Sequence, residues 1–589
     1  MTERAGGRAA ESRSGHRSPE RRDADRLLLR AAAHGGPWLG LLAAAAVALA
    51  AAETAFPALL GHTIDAVLRH RGSSTWLLAT AVLVGALVLL DALEEVAAGA
   101  SAARSTAWLR TLLLRHVLDL GTRATARAGA GDLVGRLVGN CAQAGRSGQV
   151  AVRAGAALIP AIGGPVGLAL IDPWLCVTFL AGVPVLLLLL RTLARDAQEL
   201  AERYLTVQGE IAARLVDALR GVRTIAAAGT IDREAARVLE PLPELHRHGM
   251  GIWRAQMRIS AQDGLLVALL EVAVLAVAGL ELMHGRISAG ELLAAAQYVL
   301  LGATMGSALS SVTALARSRA AAGRLAQLLR TEPPAYGRQR LPPGGGRLEL
   351  RGVTVHDGAR STLRDVSLVV APGTLLAVVG PSGAGKSLLS AVAGRLLDPD
   401  EGEVLLDGVP LAQLARAELR GAIGYGFERP ALIGDTVADA IAFGTCRPPA
   451  RELHAAARAA RAHDFICRLQ RRYRTPLREA PMSGGQLQRL GLARTFAHAG
   501  RVLLLDDIAA SLDTVTEHHI AEALTGALRD RTRIVVAHRA STAARAHTVV
   551  WLEEGAVRAG GTHAELWQLP GYRALFAPDA VAAHDGRAA

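Results

Sequence analysis

The chain has only one lysine, and this scarcity is the most informative feature of its composition. Lysine and arginine together number 65, so arginine carries nearly all of the positive side-chain charge. A guanidinium does not replace an ammonium where a compact charge must fit between phosphate oxygens. The single exception, Lys386, therefore marks a position whose chemistry arginine does not perform.

Aromatic residues are also scarce, at 3% of a chain of 589 residues that is 51% hydrophobic. The apolar residues are therefore mainly Ala, Leu and Val, which favour helices that tolerate a bilayer. The net charge of +12 would suit nucleic acid. The arginines flank apolar stretches, however, and no aromatic-rich basic surface accompanies them, so we predict no nucleic-acid partner.

Cysteine is rare too. The four cysteines lack the paired spacing of metal ligands, which predicts reduced, structural residues. They are Cys141, Cys176, Cys446 and Cys467.

Six apolar stretches in the first half of the chain predict a transmembrane domain. Each has about the 17 to 25 residues that a helix needs to cross a bilayer. A buried helix of a soluble protein is the alternative for any one stretch, but six in succession favour the membrane. The stretches are residues 38–60, 76–93, 154–171, 174–190, 265–282 and 292–314.

The segments that connect these stretches predict the topology. Spans three and four are joined by little more than Asp172-Pro173, whereas the segments after spans two and four are long and rich in arginine. The excess of arginine predicts that both long segments and the N-terminus face the cytoplasm. Helical periodicity continues into them, so their tips, residues 131–137 and 219–223, are expected to contact a cytoplasmic domain. A solvated amphipathic hairpin is the alternative.

The pattern changes after a linker rich in proline and glycine, where short β-type runs alternate with helices. The fold class predicted is therefore multi-domain: an all-α six-helix transmembrane domain followed by an α/β P-loop nucleotide-binding domain. The predicted divisions are a disordered cytoplasmic tail at 1–30, the transmembrane domain at 31–330, the linker at 331–346, the nucleotide-binding domain at 347–575 and a C-terminal tail at 576–589.

A glycine-rich loop directly after a predicted strand, residues 375–379, has the composition of a phosphate cradle. Its glycines let backbone N–H groups converge on phosphate oxygens, and the following helix adds its positive end. Lysine would reach the outer phosphates and serine would bind Mg²⁺. A plain glycine-rich turn is the alternative, which the placement of the single lysine opposes. The loop reads Gly380-Pro381-Ser382-Gly383-Ala384-Gly385-Lys386-Ser387.

A second motif is acidic: Asp506-Asp507 directly follows the apolar run at residues 501–505. A buried strand that ends in an acid is what a nucleotide hydrolase needs to hold Mg²⁺ and water opposite the phosphate loop. The two motifs together predict ATP and Mg²⁺ as cofactors.

At Met482-Ser483-Gly484-Gly485-Gln486 the chain resembles an ATP-binding cassette transporter, in particular a half-transporter of the six-helix exporter fold. The resemblance covers residues from about 30 to 570 and includes the phosphate loop, the strand ending in Asp506, Ala510-Ser511-Leu512-Asp513 and His538, in the order and spacing of the family.

The resemblance implies a role for each motif. The phosphate loop and Asp513 would bind ATP, Ser387 and Asp506 would serve Mg²⁺, and His538 would contact the γ-phosphate. Ser483, Gly484, Gly485 and Gln486 would complete the ATP site of a second nucleotide-binding domain. One chain with one membrane half and one cassette would therefore need a second half-transporter.

Three positions depart from the family pattern. Asp507 stands where a glutamate usually polarises the attacking water, Glu428 stands where a glutamine is usual, and His356 is the only ring where an aromatic usually stacks on adenine. In related heterodimeric exporters, the subunit with aspartate forms a weakly hydrolysing site. We therefore predict a heterodimer in which Asp507, His538 and Glu428 belong to the weak site. A slow homodimer is the alternative.

The cargo is less defined. Glu53 in span one and Glu271 in span five are acids at bilayer depth, which face a cavity or another helix. The expectation is an exporter subunit in a bacterial plasma membrane, in contact with lipids, that extrudes an amphiphilic cargo such as a modified peptide, an antibiotic or a lipid-like molecule. The alternatives are a subunit that imports siderophores and a membrane sensor that transports nothing.

Overall fold

The structure is a computed structural model that describes residues 19–69, 73–123, 129–303, 305–357, 360–508 and 512–576. It separates into two compact units. The first comprises Met1–Val117 and Ala128–Thr331, and the second comprises Leu118–Arg127 and Glu332–Ala589.

The described part of the first unit is helical. Its helices are α1 (Pro19–Ala33), α2 (Pro37–Leu68), α3 (Ser73–Leu120), α4 (Ala130–Gly135), α5 (Cys141–Gly145), α6 (Ser147–Ala156), α7 (Leu158–Ile171), α8 (Pro173–Arg220), α9 (Val222–Ala228), α10 (Ile231–Leu239), α11 (Leu242–Met283), α12 (Ala289–Ala303) and α13 (Met305–Leu329). A π-helical segment, Arg136–Asn140, joins α4 to α5.

The predicted spans fall on these helices. Four stretches of described helix are long and apolar enough to cross a membrane: Pro37–Leu68, Ser74–Leu120, Gly131–Ile171 and Ile231–Met283. Two shorter apolar stretches, Pro173–Pro184 and Ala289–Ala303, coincide with predicted spans four and six. The hairpin between spans three and four has the predicted form, because Asp172 caps α8 by accepting a hydrogen bond from the Trp174 backbone at 2.8 Å.

The long connecting segments are helical, as the periodicity predicts. Helices α3 and α8 each contain 48 residues and α11 contains 42, so all three outlast a bilayer crossing. The end of α3 belongs to the second unit, where Arg123 pairs with Asp398 at 3.0 Å and Arg416 pairs with Asp119 at 2.8 Å. This contact lies before the tip predicted at residues 131–137.

Part of the segment predicted as a disordered tail is helical. Residues 1–18 lie outside the described part, but α1 begins at Pro19. Arg319 on α13 and Arg330, directly after its end, pair with Asp25 and Asp23 on α1, and Ala24 and Ala31 are buried. The polar composition of this segment predicted no helix, because only a narrow apolar face of α1 is buried against neighbouring helices. The C-terminal tail from residue 577 also lies outside the described residues.

The second unit is an α/β domain. Its strands are β1 (Leu348–Asp357), β2 (Arg360–Val370), β3 (Leu375–Val379), β4 (Glu401–Leu406), β5 (Val409–Pro410), β6 (Ile423–Gly426), β7 (Val502–Leu505), β8 (Thr532–Val536), β9 (Thr548–Glu553) and β10 (Ala556–Gly561). Its helices are α14 (Lys386–Ala393), α15 (Arg416–Ala422), α16 (Val437–Ala442), α17 (Ala450–Ala459), α18 (His463–Arg468), α19 (Gly484–Ala497), α20 (Thr514–Thr525), α21 (Ala540–Ala544), α22 (His563–Leu566) and α23 (Pro570–Ala574).

Two sheets organise this unit. An antiparallel sheet has the order β2-β1-β4-β5, and a larger sheet has the order β10-β9-β3-β8-β7-β6, in which β9, β3, β8, β7 and β6 are parallel. One core lies around α14 and includes residues of both sheets. A second core packs α16, α17 and α19 on the other face of the larger sheet. Strands β3, β7 and β8 are buried along their whole length, as expected for parallel strands covered on both faces.

Candidate functional site

The candidate site lies at one edge of the larger sheet, where four parallel strands end side by side. Strand β3 runs into Gly380, β8 ends just before His538, β7 runs into Asp506, and β6 ends just before Glu428. Because β3, β8, β7 and β6 are consecutive neighbours in the sheet, residues far apart in the chain meet at their carboxyl ends. Ligands of open α/β sheets bind at this edge.

The glycine-rich loop has a backbone that side chains would obstruct. Gly380, Gly383 and Gly385 have φ values of 156°, 80° and 95°, a region that residues with a Cβ rarely adopt. A Cβ on Gly380 would lie 2.1 Å from the carbonyl oxygen of Leu552. Glycine is therefore required there, and the loop delivers its backbone N–H groups to the start of α14.

Lys386 is the first residue of α14 and is only 7% exposed. Its Nζ donates to the carbonyl oxygens of Gly380 at 2.8 Å and Pro381 at 3.0 Å. Burial lowers the pKa of the ammonium, while Asp507 and Asp506 act in the opposite direction. The ammonium is thus folded over the loop, where an incoming phosphate would replace the two carbonyls as its partner.

Ser387 and Asp506 lie together as the sequence predicts. The Ser387 hydroxyl donates to Oδ1 of Asp506 at 3.0 Å. Burial raises the pKa of Asp506, and the hydrogen bond from Ser387 opposes that rise. A hydroxyl and a carboxylate are the oxygen ligands that Mg²⁺ uses beside phosphates, so the pair fits that ion.

Asp507 is the next residue and has a left-handed backbone, with φ of 44°. Its Oδ2 lies 3.6 Å from Nε2 of His538, and its side chain is 25% exposed. Burial raises the pKa of Asp507, His538 opposes that rise and Glu428 adds to it. Glu428 is half-exposed, beside Arg429 at 3.5 Å. The three predicted residues Asp507, His538 and Glu428 therefore share one electrostatic environment.

Ser483 and the residues after it form a different local structure. Ser483 is the N-cap of α19, its hydroxyl accepts from the Gln486 backbone, and Gln486 accepts from the Ser483 backbone at 2.9 Å. This capping box fixes the start of the helix, so the first-turn N–H groups of Gly484 and Gly485 remain available. Within the described residues, no hydrogen bond joins this segment to the phosphate loop.

The remaining predicted positions are less informative. Asp513 is the exposed N-cap of α20, and Ala510 and Ser511 lie outside the described residues. His356 ends β1 exposed, with its Nδ1 hydrogen-bonded to the Ser361 hydroxyl at 3.0 Å and its backbone N–H donating to Asp400 at 2.7 Å.

Sequence reasoning missed a second candidate site, a cavity of about 300 Å³ in the helical unit. It contains the predicted Glu53 but also Glu94 and Arg153, which are in an ion pair at 2.8 Å. Both residues directly flank the apolar stretches predicted for spans two and three, so they had the pattern of ordinary flanking charges. The available signal was a second acid, Glu95, next to Glu94.

Two family models match the chain. The model described as "ABC transporter transmembrane region" matches residues 39–304, and the model described as "ABC transporter" matches residues 363–510. The first falls on the helical unit and the second on the larger part of the α/β unit, including the phosphate loop, Ser483 and Asp507.

Individual proteins are similar over most of their length. The "ABC transporter ATP-binding protein RamA" of Streptomyces coelicolor is 48% identical over 532 residues, which cover 90% of this chain and 84% of that protein. An "ATP-dependent lipid A-core flippase" of Alkalilimnicola ehrlichii is 30% identical over 91% of this chain and 93% of its own. The solved structure of a bacterial Atm1-family ABC exporter with ATP bound has a TM-score of 0.78 and 25% identity, and the match covers 93% of this chain and 98% of that one.

Proposed function

The chain belongs to the ATP-binding cassette transporter family, and from that premise we propose that it is one half of a heterodimeric exporter whose own ATP site hydrolyses weakly. It is a multi-pass membrane protein with an exporter-type fold, and its ATPase activity is coupled to transport. The observation that carries the finer proposal is Asp507, a short acid at the end of β7 beside His538.

ATP would bind through the phosphate loop. The backbone N–H groups of residues 380–387, apart from Pro381, which has none, and the start of α14 would surround the phosphates. Lys386 would leave the carbonyls of Gly380 and Pro381 to bind the outer phosphates. Ser387 and Asp506 would hold Mg²⁺, which neutralises charge on the phosphates.

Hydrolysis needs a carboxylate that orients water on the γ-phosphate. Asp507 is one methylene shorter than glutamate, and a displacement of about 1 Å can cost on the order of a hundredfold in rate. Burial raises the pKa of Asp507, and His538 opposes that rise. His538 would contact the γ-phosphate, and Glu428 would stand beside the reacting water and metal.

The segment Ser483–Gln486 supports the need for a second half-transporter. Its helix start is intact, because the capping box is formed and Gly484 and Gly485 open the first turn. A helix N-terminus of this kind binds anionic groups. It would act on ATP held by the other half, so this chain completes a competent site while its own site is weak.

We propose that the α/β unit and the N-terminus are cytoplasmic, because arginine is enriched in the segments on that side. The cargo proposed is amphiphilic: a modified peptide, an antibiotic or a lipid-like molecule. One relative carries the name of a lipid A-core flippase, which supports a cargo with an apolar body.

The test is the ATPase activity of the chain purified alone in lipid nanodiscs, compared with the same chain purified with its partner half. We expect slow turnover alone and brisk turnover in the pair. Brisk ATPase activity of the chain alone that is lost on Asp507→Asn would eliminate the weak-site proposal. Accumulation of cargo in inside-out vesicles supports export, whereas uptake into whole cells would contradict it.

A further inference from the structure

The cavity in the helical unit contains one acid within a predicted membrane span, Glu53, and two charged residues at the ends of neighbouring spans, Glu94 and Arg153. Its lining includes Leu49, Ala50, Glu53, Glu94 and Arg153, and its other residues are apolar. Most of this lining is apolar, and its volume of about 300 Å³ is at the lower end of ligand-binding pockets. Ionisable groups within membrane spans usually face such a cavity and mark a path for a ligand.

Arg153, the one basic residue of the lining, is already engaged. Its Nε donates to Glu94 at 2.8 Å, and its Nη2 donates to Glu95 at 2.6 Å. The Glu94 side chain is only 12% exposed, whereas Arg153 is 38% exposed and Glu95 is 66% exposed. Two carboxylates thus share one guanidinium, and the group as a whole keeps a negative charge.

Glu53 adds a further carboxylate from the facing helix α2. Within the described residues, its side chain makes no hydrogen bond and no ion pair. The preceding turn of α2 supplies Leu49 and Ala50, so the acid stands at the end of an apolar wall. An uncompensated carboxylate beside an apolar surface is complementary to a cation with an apolar body.

We propose that this cavity binds the cationic group of an amphiphilic cargo, with Glu53 as the ion-pairing residue and the Glu94–Arg153–Glu95 cluster as its electrostatic support. This inference rests on the proposed function, because it assigns the cavity to the cargo path. The chemical class is an organic ammonium, phosphonium or guanidinium attached to an apolar body. Recognition by charge excludes anionic cargo of the same shape.

Glu271 offers a matched control. It is the other acid predicted at bilayer depth, it lies half-buried on α11, and it is not among the residues that line the cavity. If removal of any intramembrane charge weakened cation binding, substitution of Glu53 and substitution of Glu271 would have the same effect. If Glu53 binds the cation, only the substitution of Glu53 weakens binding.

The experiment measures equilibrium binding of radiolabelled tetraphenylphosphonium and tetraphenylborate, two ions of the same shape and opposite charge. The purified transporter, in the oligomeric form in which it is isolated, is held in nanodiscs without ATP, and binding to empty nanodiscs is subtracted. We expect preference for the cation. Glu53→Gln should weaken cation binding by about tenfold or more, Glu53→Asp should retain most of it, and Glu271→Gln should leave it unchanged.

Each outcome has a defined meaning. Equal cation binding by Glu53→Gln and the unsubstituted protein overturns the proposal, as does an equal loss with Glu271→Gln or a parallel loss of tetraphenylborate. ATP binding by each variant confirms that it is folded. The binding measurement requires no transport, so the two proposals can fail separately. Intact cation binding without export would reject the proposed function alone, and export without cation binding at Glu53 would reject only the role proposed for this cavity.

Discussion

Lys386 gives the sharpest test at the scale of the residue, because the chain uses arginine at every other strongly basic position. Its buried Nζ donates hydrogen bonds to two carbonyl oxygens of the phosphate loop. We expect Lys386→Arg to lose ATP affinity by about ten- to a hundredfold, as much as Lys386→Ala, since the retained charge sits on a wider group. Fluorescent ATP titration measures the loss.

The control for this prediction is Arg529→Lys. Arg529 is 75% exposed beside Asp530, where charge alone matters, so ATP affinity should not change. Retention of ATP affinity by Lys386→Arg would show that any cation suffices at the phosphate loop, and the compositional reasoning would be wrong.

The sequence names candidate site residues, but it does not give their geometry. Phosphate-loop chemistry follows from residue types at fixed spacing, which is local information. The distance of 3.6 Å between Asp507 and His538 depends on β7 and β8 being neighbours in the sheet. No local sequence pattern predicts the order of the strands. The left-handed backbone of Asp507 is likewise set by the turn after β7. Glu94 and Arg153 were missed because a flanking charge and a cavity charge have the same sequence pattern.

At the scale of the element, α16 depends on a capping box. The Thr436 hydroxyl accepts from the Asp439 backbone at 3.2 Å, and Asp439 accepts from the Thr436 backbone. Helix α16 buries Val437 and Ile441 in the core that also holds α19. Thr436→Ala should destabilise the domain by about 1 kcal/mol and lower its unfolding midpoint by about 2–4 °C, while Thr436→Ser should restore it. Thermal denaturation of the full chain measures both.

Asp439 adds a pH dependence to the same element. Its pKa is lowered, chiefly because the Thr436 hydroxyl donates to it and also because Arg447 lies at 2.8 Å. A lowered pKa means stability that is present above the ordinary carboxyl pKa and is lost as pH falls through the lowered value. The stability difference between the unsubstituted protein and Asp439→Asn should be constant from pH 7 to about pH 5 and shrink below it. A difference that grows in acid would contradict this sign.

The bounds of elements that are defined by a short local pattern were predicted closely. Strand β3 has the predicted bounds, and β7 differs by one residue, because both are short buried runs with breakers at their ends. Strands β1 and β2 run through polar residues such as Arg351 and Arg364, because antiparallel pairing as well as apolar composition holds them. Helix α1 was missed because its contacts, the packing of Ala24 and Ala31 and an ion pair with α13, involve residues that are distant in sequence.

At the scale of the whole molecule, a chain that fits one half of a transporter raises the question of what completes it. In the proposed arrangement, the phosphate loop and Asp507 would belong to one ATP site, and Ser483–Gln486 would belong to another. In a heterodimer, ATP hydrolysis would depend on Ser483–Gln486 of this chain more than on its Asp507. In a homodimer, every ATP site would contain both Asp507 and Ser483–Gln486, so hydrolysis would depend on both. Substitutions in this chain alone therefore distinguish the two assemblies.

In the isolated pair of half-transporters, Asp507→Asn in this chain should change ATPase activity by less than about twofold. Asparagine fits the left-handed backbone at φ 44°, so the substitution leaves the fold intact. Ser483→Ala should lower activity by about a hundredfold, because it removes a hydroxyl and loosens a helix start aimed at the partner's phosphates. Equal losses from both substitutions, measured as phosphate release at saturating ATP, would instead indicate two identical sites. The unequal result follows only if this chain supplies a weak catalytic acid to one site and an intact helix N-terminus to the other.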